Sequence, residues 1–473
     1  MSATVAGTLP RVDLTRRLRT ARMLGTIVFI ALLPLYLITA IPYGTAEAWW
    51  KGFFVCAAFS LAIIWLVEGY LSDRWITNGR SILPPVFALV AFSLLQTVPL
   101  GASQLPGISA AASRTISVDP YETRFFALQI AALGLYGLFL FRYLTTTRRL
   151  LILFNLVIGI AFISAIFGIV RQTTQHSLGF GLPLLQVNQG YAQFINRNHF
   201  SFLMEMALGL SLGMILGRGV KKEQMLVYLA ALLPIWTALV ICGSRGGIVA
   251  MMAQVIVAAF LFSGLLQGRR SAESQHTVLR VLQSGPVRTG LFLVLVGAVV
   301  FGTLYLGGEQ LATRIEQTRA EFSPDRDEMR LRVERNQTWS MTLKMFAAHP
   351  VLGVGMGAYW AQVPQFHDGS GVLTPQEAHN EYLELLASGG VVGLVIVAWF
   401  IVAVVRKTKT NLGSPNRLRR AVCLGAAIGI AGVVVHSLVD FGLHMMINAL
   451  VFTTLIVFAT SEQPWNNHTV REP

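Results

Sequence analysis

RLRVERNQTWSMTLKMFAAHPVLGVGMGAYWAQVPQFHDGSGVLTPQEAHNEYLELLASGG, residues Arg330 to Gly390, interrupts a chain that is otherwise mostly apolar spans. Arg332 and Arg335 lie three apart on a predicted helix, so they share a face and can clamp one anion together. Further on, Thr374-Pro375-Gln376-Glu377 has the grammar of a capping box with proline at the first helical position. That grammar predicts a helix from Pro375, with His379 about one turn inside it. The positive end of the helix dipole would disfavour imidazolium there and leave a neutral ring able to accept a proton. A paired-arginine anion site beside a neutral histidine points to group transfer from a phosphorylated donor. The same residues also suit a folded outer loop whose arginines and histidine are merely solvated.

What surrounds this stretch is membrane. Hydrophobic residues make up 54% of the 473, charged ones 13%, and the mean hydropathy is +0.60. Such a chain is an all-α polytopic membrane protein rather than a soluble core with an anchor. About twelve transmembrane helices are expected, nine before the quoted stretch and three after it. They centre on Met23–Ile41, Phe53–Leu71, Leu83–Leu100, Phe125–Phe141, Leu150–Val170 and Phe200–Leu216. The others centre on Met225–Ile241, Ile248–Leu265, Thr289–Leu306, Gly389–Val405, Ala421–Val435 and Met446–Ala459. This divides the chain into residues 1–306 with helices one to nine, an outer helical cap over 307–388 that carries the histidine helix, and residues 389–473 with the last three helices and a short cytoplasmic tail.

The net charge of +14 could suggest a nucleic-acid partner, but its placement argues against one. With the N-terminus cytoplasmic, 24 of the 37 basic residues fall on the inner segments, including Arg16, Arg17, Arg148, Arg149, Lys221 and Arg420. The short loops then obey the positive-inside rule at every crossing, and both termini are cytoplasmic. The basic excess is topological. Ala46-Glu47-Ala48 resembles a signal cleavage site, but the preceding apolar run is too long for a signal peptide and reads as a retained first helix. Cys56, Cys242 and Cys423 give no disulfide or metal framework.

Other outer-side signals are smaller. Asn196-Arg197-Asn198-His199-Phe200 places Arg197 at the outer start of the sixth span, within headgroup reach or as an interfacial anchor. Glu205, two turns further, suits pairing with a cation, and Glu68 in the second span has no assigned role. Cys242-Gly243-Ser244-Arg245-Gly246-Gly247 puts Arg245 between glycines and just before a helix, a ready anion site. Asp325-Arg326-Asp327 resembles a D-x-D metal motif but sits in a charged run without strand context, so a solvated helix start is favoured and no metal is expected. Gly353-Val354-Gly355-Met356-Gly357 reads as a flexible turn, since no βαβ unit surrounds it. His436 and Asp440, four apart, would face each other across a helical turn in a structural pair.

In order, spacing and shared side these pieces resemble the O-antigen ligase and polymerase superfamily of bacterial membrane glycosyltransferases. The matching features are Asn-Arg-Asn-His-Phe, Gly-Ser-Arg-Gly-Gly, His349-Pro350-Val351-Leu352-Gly353, Ala378-His379-Asn380-Glu381-Tyr382-Leu383-Glu384 and the closing His-Ser-Leu-Val-Asp. They cover roughly Phe200–Phe452, while the first five spans match only by topology. The resemblance implies a GT-C-like bundle in the bacterial inner membrane with a periplasmic active site. It implies a glycan donor on undecaprenyl diphosphate and an acceptor sugar hydroxyl, on lipid A–core for a ligase or on a lipid-linked glycan for a polymerase of O-antigen or exopolysaccharide. His379 would be the general base, and Arg245, Arg332, Arg335 and Arg197 would hold the diphosphate. Glu381, His436 and Asp440 would support them, with no cofactor, in a metal-independent and inverting transfer. A transporter or flippase of lipid-linked sugars is the alternative; it would be expected to show mid-membrane charges and an internal repeat.

Overall fold

Inside a hydrocarbon core each backbone N–H and C=O must find its partner within the protein, which forces apolar runs to close on themselves as helices. The computed structural model follows that rule and describes residues 11–41, 48–75, 78–100, 102–103, 112–113, 115–174, 190–267, 335–367 and 374–462. In order come α1 (Arg11–Ala40), α2 (Ala48–Ser72), α3 (Leu83–Gln96), α4 (Pro120–Tyr143), α5 (Thr147–Thr174), α6 (Arg197–Leu216), α7 (Lys222–Ile241) and α8 (Arg245–Gln267). After them come α9 (Arg335–Ala348), α10 (Tyr359–Gln362), α11 (Glu381–Leu412), α12 (Arg417–His436) and α13 (Met446–Thr460). Among the described residues nine helices are long and apolar enough to cross a membrane, and the shorter α3 and α13 are apolar too. The chain is thus an all-α polytopic membrane protein. The span expected at Thr289–Leu306, together with Arg332, Asp325 and Asp327, lies outside the described residues.

The tightest helix pair is α6 against α12, and small residues make it so. Gly209, Gly213 and Gly217 form a stripe at every fourth position of α6 and meet Gly429, Gly425 and Ala421 of α12. A Cβ on Gly213 would lie 2.1 Å from the Gly425 Cα, so the backbones touch, as small-xxx-small packing allows. The two helices run antiparallel. The start of α6 is thereby fixed beside the end of α12, on the face that also carries α9 and α10.

Helix α11 is broken near that face. Gly390 has φ +59 and ψ −160, a conformation open to glycine alone, and a Cβ there would lie 2.4 Å from the Val351 carbonyl oxygen. The break frees backbone groups, and the segment after α9 takes them up. Val391 N–H donates to the Pro350 carbonyl (2.9 Å), and Val354 N–H donates to the Ala387 carbonyl (3.0 Å). Gln96 at the end of α3 completes the joint, giving its amide N–H to Leu352 and accepting from Met356 N–H. The glycine-rich turn expected to be flexible is therefore pinned at both ends. A small core of Met341, Met345, Val354, Tyr359 and Val363 then seats α9 and α10 on the bundle.

Candidate active site

Asp440 is fully buried in the loop between α12 and α13, and four side chains from three other parts of the chain converge on it. His379 Nδ1 lies 3.4 Å from Oδ1, His199 Nε2 3.7 Å from the same oxygen, and Arg335 Nη2 3.5 Å from Oδ2. Asn198 Nδ2 donates to Oδ2, and the Phe441 backbone N–H donates to Oδ1 at 2.9 Å. Burial alone would raise this carboxyl; the facing imidazoles of His199 and His379 outweigh it and hold the group well below the usual carboxylate range.

The surrounding motifs join through Asn198. Its carbonyl oxygen accepts from Ser244 Oγ (2.8 Å), and Ser244 Oγ accepts in turn from Gly247 N–H (3.1 Å), capping α8. Asn196 caps α6 by accepting from Asn198 N–H at 2.8 Å. Arg197 and Arg245 are the first residues of α6 and α8, two helix starts that the Ser244–Asn198 bond joins. Arg335 opens α9 above them. The structure thus brings His379 and Arg335 onto Asp440, with Arg197 and Arg245 next in sequence to Asn198 and Ser244 of the same network; Arg332 lies outside the described residues.

Three expectations need correction. The helix predicted from Pro375 begins at Glu381, with Asn380 as its cap, accepting from the Tyr382 and Leu383 N–H groups. The capping-box grammar fails because Glu377 turns to His444 instead, and because His379 takes φ +51, a left-handed value that no α-helix continues. His379 therefore sits just before the helix, and its partner is a carboxylate, not a dipole. His436 and Asp440 do not pair with each other, since α12 ends at His436. His436 Nδ1 instead meets Glu205 Oε1 at 2.7 Å, and its ring stacks on Phe202. Glu381 does not support His379 either; it faces His444, with Oε2 3.4 Å from Nε2. Glu68, left without a role, is a structural partner of Arg142 at 2.8 Å.

His444 belongs to a second cluster that the sequence reading missed. Its Nδ1 lies 3.3 Å from Glu377, and its Nε2 lies 3.9 Å from Glu384. Burial would lower the imidazole, but the carboxylates of Glu377 and Glu381 raise it well above its ordinary value. Burial likewise opposes ionisation of Glu377, and the charge of His444 overrides it, bringing that carboxyl down to about 2. Ligand atoms of Glu377, Glu384 and His444 lie within 4.8 Å of one another, a spacing that also suits a cation. The ring of Phe441 touches both clusters, 4.8 Å from the His379 ring and 5.6 Å from the His444 ring, both edge to face. The signal for His444 was its place four residues after Asp440, but its carboxylate partners come from a segment some sixty residues earlier.

Residues 229–398, from within α7 to within α11, match the family model described as O-antigen ligase. This stretch contains Arg245, Arg335 and His379, whereas Arg197, Asn198 and Asp440 lie beyond it and reach the same site only through the α6–α12 pair. No curated protein matches the chain. The chain thus carries a region similar to O-antigen ligases within a bundle of membrane helices, which supports a place near the O-antigen ligase and polymerase superfamily and an O-antigen ligase-like function in glycan assembly.

Proposed function

We propose that the protein is an inner-membrane glycosyltransferase that moves a glycan from undecaprenyl diphosphate to a sugar hydroxyl on the periplasmic face. The acceptor is lipid A–core if the enzyme ligates and a lipid-linked glycan if it polymerises. The observation that carries this reading is the contact of His379 Nδ1 with the buried Asp440 carboxylate, which Arg335 shares. In this reading Nδ1 turns its hydrogen to the carboxylate, which only accepts, and Nε2 offers its lone pair. In the transfer, the acceptor oxygen forms a bond to the anomeric carbon while the bond from that carbon to the diphosphate oxygen breaks. The bonding pair leaves with the diphosphate, and the hydroxyl proton passes to His379 Nε2. Attack opposite the leaving group inverts the anomeric centre. Asp440 then faces an imidazolium, and Arg197, Arg245 and Arg335 face the growing charge on the diphosphate, a role a metal plays elsewhere. Arg332 joins them in this reading on sequence alone.

The test is transfer from lipid-linked donor by purified His379→Gln, beside a donor-binding measurement. Glutamine keeps hydrogen bonding but cannot take the proton. Turnover should fall on the order of a hundred- to ten-thousand-fold while donor binding changes little. Turnover within a few-fold of wild type would place the base elsewhere.

A further inference from the structure

The His444 cluster sits at the mouth of a cavity of about 920 Å³ enclosed by α3, α4, α11, α12 and α13. The mouth is polar and aromatic: Glu377, Glu381, Glu384 and His444 lie beside Trp360 and Tyr382. Below it the lining turns apolar and runs along α4 from Glu122 to Phe141. Nineteen steps along the helix make that about 28 Å at 1.5 Å per residue, close to a full hydrocarbon core of about 30 Å. A polar mouth over such a slot is the shape of an amphiphile.

Charge decides the headgroup. The carboxyl groups of Glu122, Glu377, Glu381 and Glu384 line the cavity against Lys51 and His444, so a diphosphate would find no surplus of cations there. The arginine site offers the reverse. Hydroxyl groups, by contrast, donate readily to carboxylates, and sugar faces stack on exposed indoles such as Trp360. The pocket also holds unused hydrogen-bonding capacity. Ser388 Oγ and Ser437 Oγ line the cavity, are 3% and 4% exposed, and make no hydrogen bond within the protein. Buried hydroxyls left without partners call for one, and a polyol supplies both donors and acceptors.

We propose that this pocket seats the sugar head of a glycolipid acceptor, with its hydrocarbon tail in the cavity, while the anionic donor occupies the arginine site. The word acceptor rests on the transferase reading; the binding of a sugar-headed lipid does not. Both substrates would then meet near one aromatic ring, Phe441, which His379 and His444 both contact edge to face.

The experiment uses two photoreactive probes on the full chain in lipid nanodiscs: a long-chain alkyl maltoside and a polyprenyl phosphate. Mass spectrometry locates the adducts. The maltoside should label cavity residues of α4 and α13, and an excess of polyprenyl phosphate should not displace it. Glu377→Gln with Glu384→Gln should cut that labelling at least tenfold. Trp360→Ala, at an exposed position that folding does not need, should weaken it several-fold. Labelling of the cavity by polyprenyl phosphate in preference to the maltoside would overturn the proposal and make this the donor slot. Maltoside labelling indifferent to both variants would overturn it as well. So would displacement of the maltoside by micromolar Mn²⁺, which would make the cluster a cation site. Should the maltoside bind as expected while purified protein transfers nothing, the transferase reading fails and the pocket stands.

Discussion

Because a carboxylate accepts and never donates, the 3.4 Å approach of His379 Nδ1 to Asp440 favours the tautomer with its hydrogen on Nδ1. Asparagine at 440 would keep the size and one acceptor oxygen but add an amide that donates, which permits the opposite tautomer. It would also leave Arg335 without its anionic partner. Asp440→Asn should therefore lower turnover by on the order of a hundredfold or more, as loss of base catalysis does. Membrane abundance should stay normal, and the measurement is kcat on purified protein beside donor binding. Turnover near wild type would reduce Asp440 to packing. This residue also shows what the sequence could and could not reveal. The sequence singles out His379 by its company of outer arginines and Arg245 by its flanking glycines. Asp440 was read as a partner of His436 because spacing of four is all a sequence shows. Its real partners, Asn198, His199, Arg335 and His379, come from three distant segments, which the packing of α6 on α12 and the seating of α9 and the start of α11 bring near. For the same reason Glu377 looked like a cap and proved to be a partner of His444.

Between helices, the decisive contact is the glycine stripe of α6 on α12. Gly209, Gly213 and Gly217 repeat every four residues, a pattern visible in the sequence that the span count passed over, since hydropathy weighs each residue without regard to its face. The spans themselves were legible because twenty apolar residues in a row leave few alternatives. The start of α11 was not, since a left-handed residue at 379 leaves no mark in local pattern. Two alanine substitutions separate packing from propensity. At Gly159 on α5 a Cβ meets nothing within 4 Å, so Gly159→Ala should gain the helix preference of alanine, about 0.5–1 kcal/mol. At Gly213 the Cβ would collide with the Gly425 backbone, and overpacking of this kind costs about 1–3 kcal/mol. Thermal midpoints of the purified variants should therefore shift in opposite directions, down for Gly213→Ala and level or up for Gly159→Ala. Turnover should fall with the Gly213 variant alone, because separating α6 from α12 moves Asn198 away from Asp440. A neutral Gly213→Ala would mean the helices can part without cost.

At the scale of the whole molecule, the bundle has one face with the converging arginines and histidines and another with most of the remaining basic residues. Lys222 and Arg417 mark the second face, at the starts of α7 and α12, whose other ends lead to Ser244 and Asp440. Short basic loops remain on the cytoplasmic side during insertion, so the site should open outward, where a flipped lipid-linked donor would be found. Thr374 and Thr410 are both exposed, one next to His379 and the other at the far end of α11, which makes them a matched pair of reporters. Cys56 is exposed and would be replaced by serine first, whereas Cys242 and Cys423 are buried. In that background Thr374→Cys should react with an impermeant maleimide in intact cells, and Thr410→Cys only after permeabilisation. Equal labelling of both before permeabilisation would leave the orientation unsupported. The reverse pattern would put His379 and its arginines in the cytoplasm, where the donor would have to be used before flipping, and would remove the basis for a periplasmic transferase.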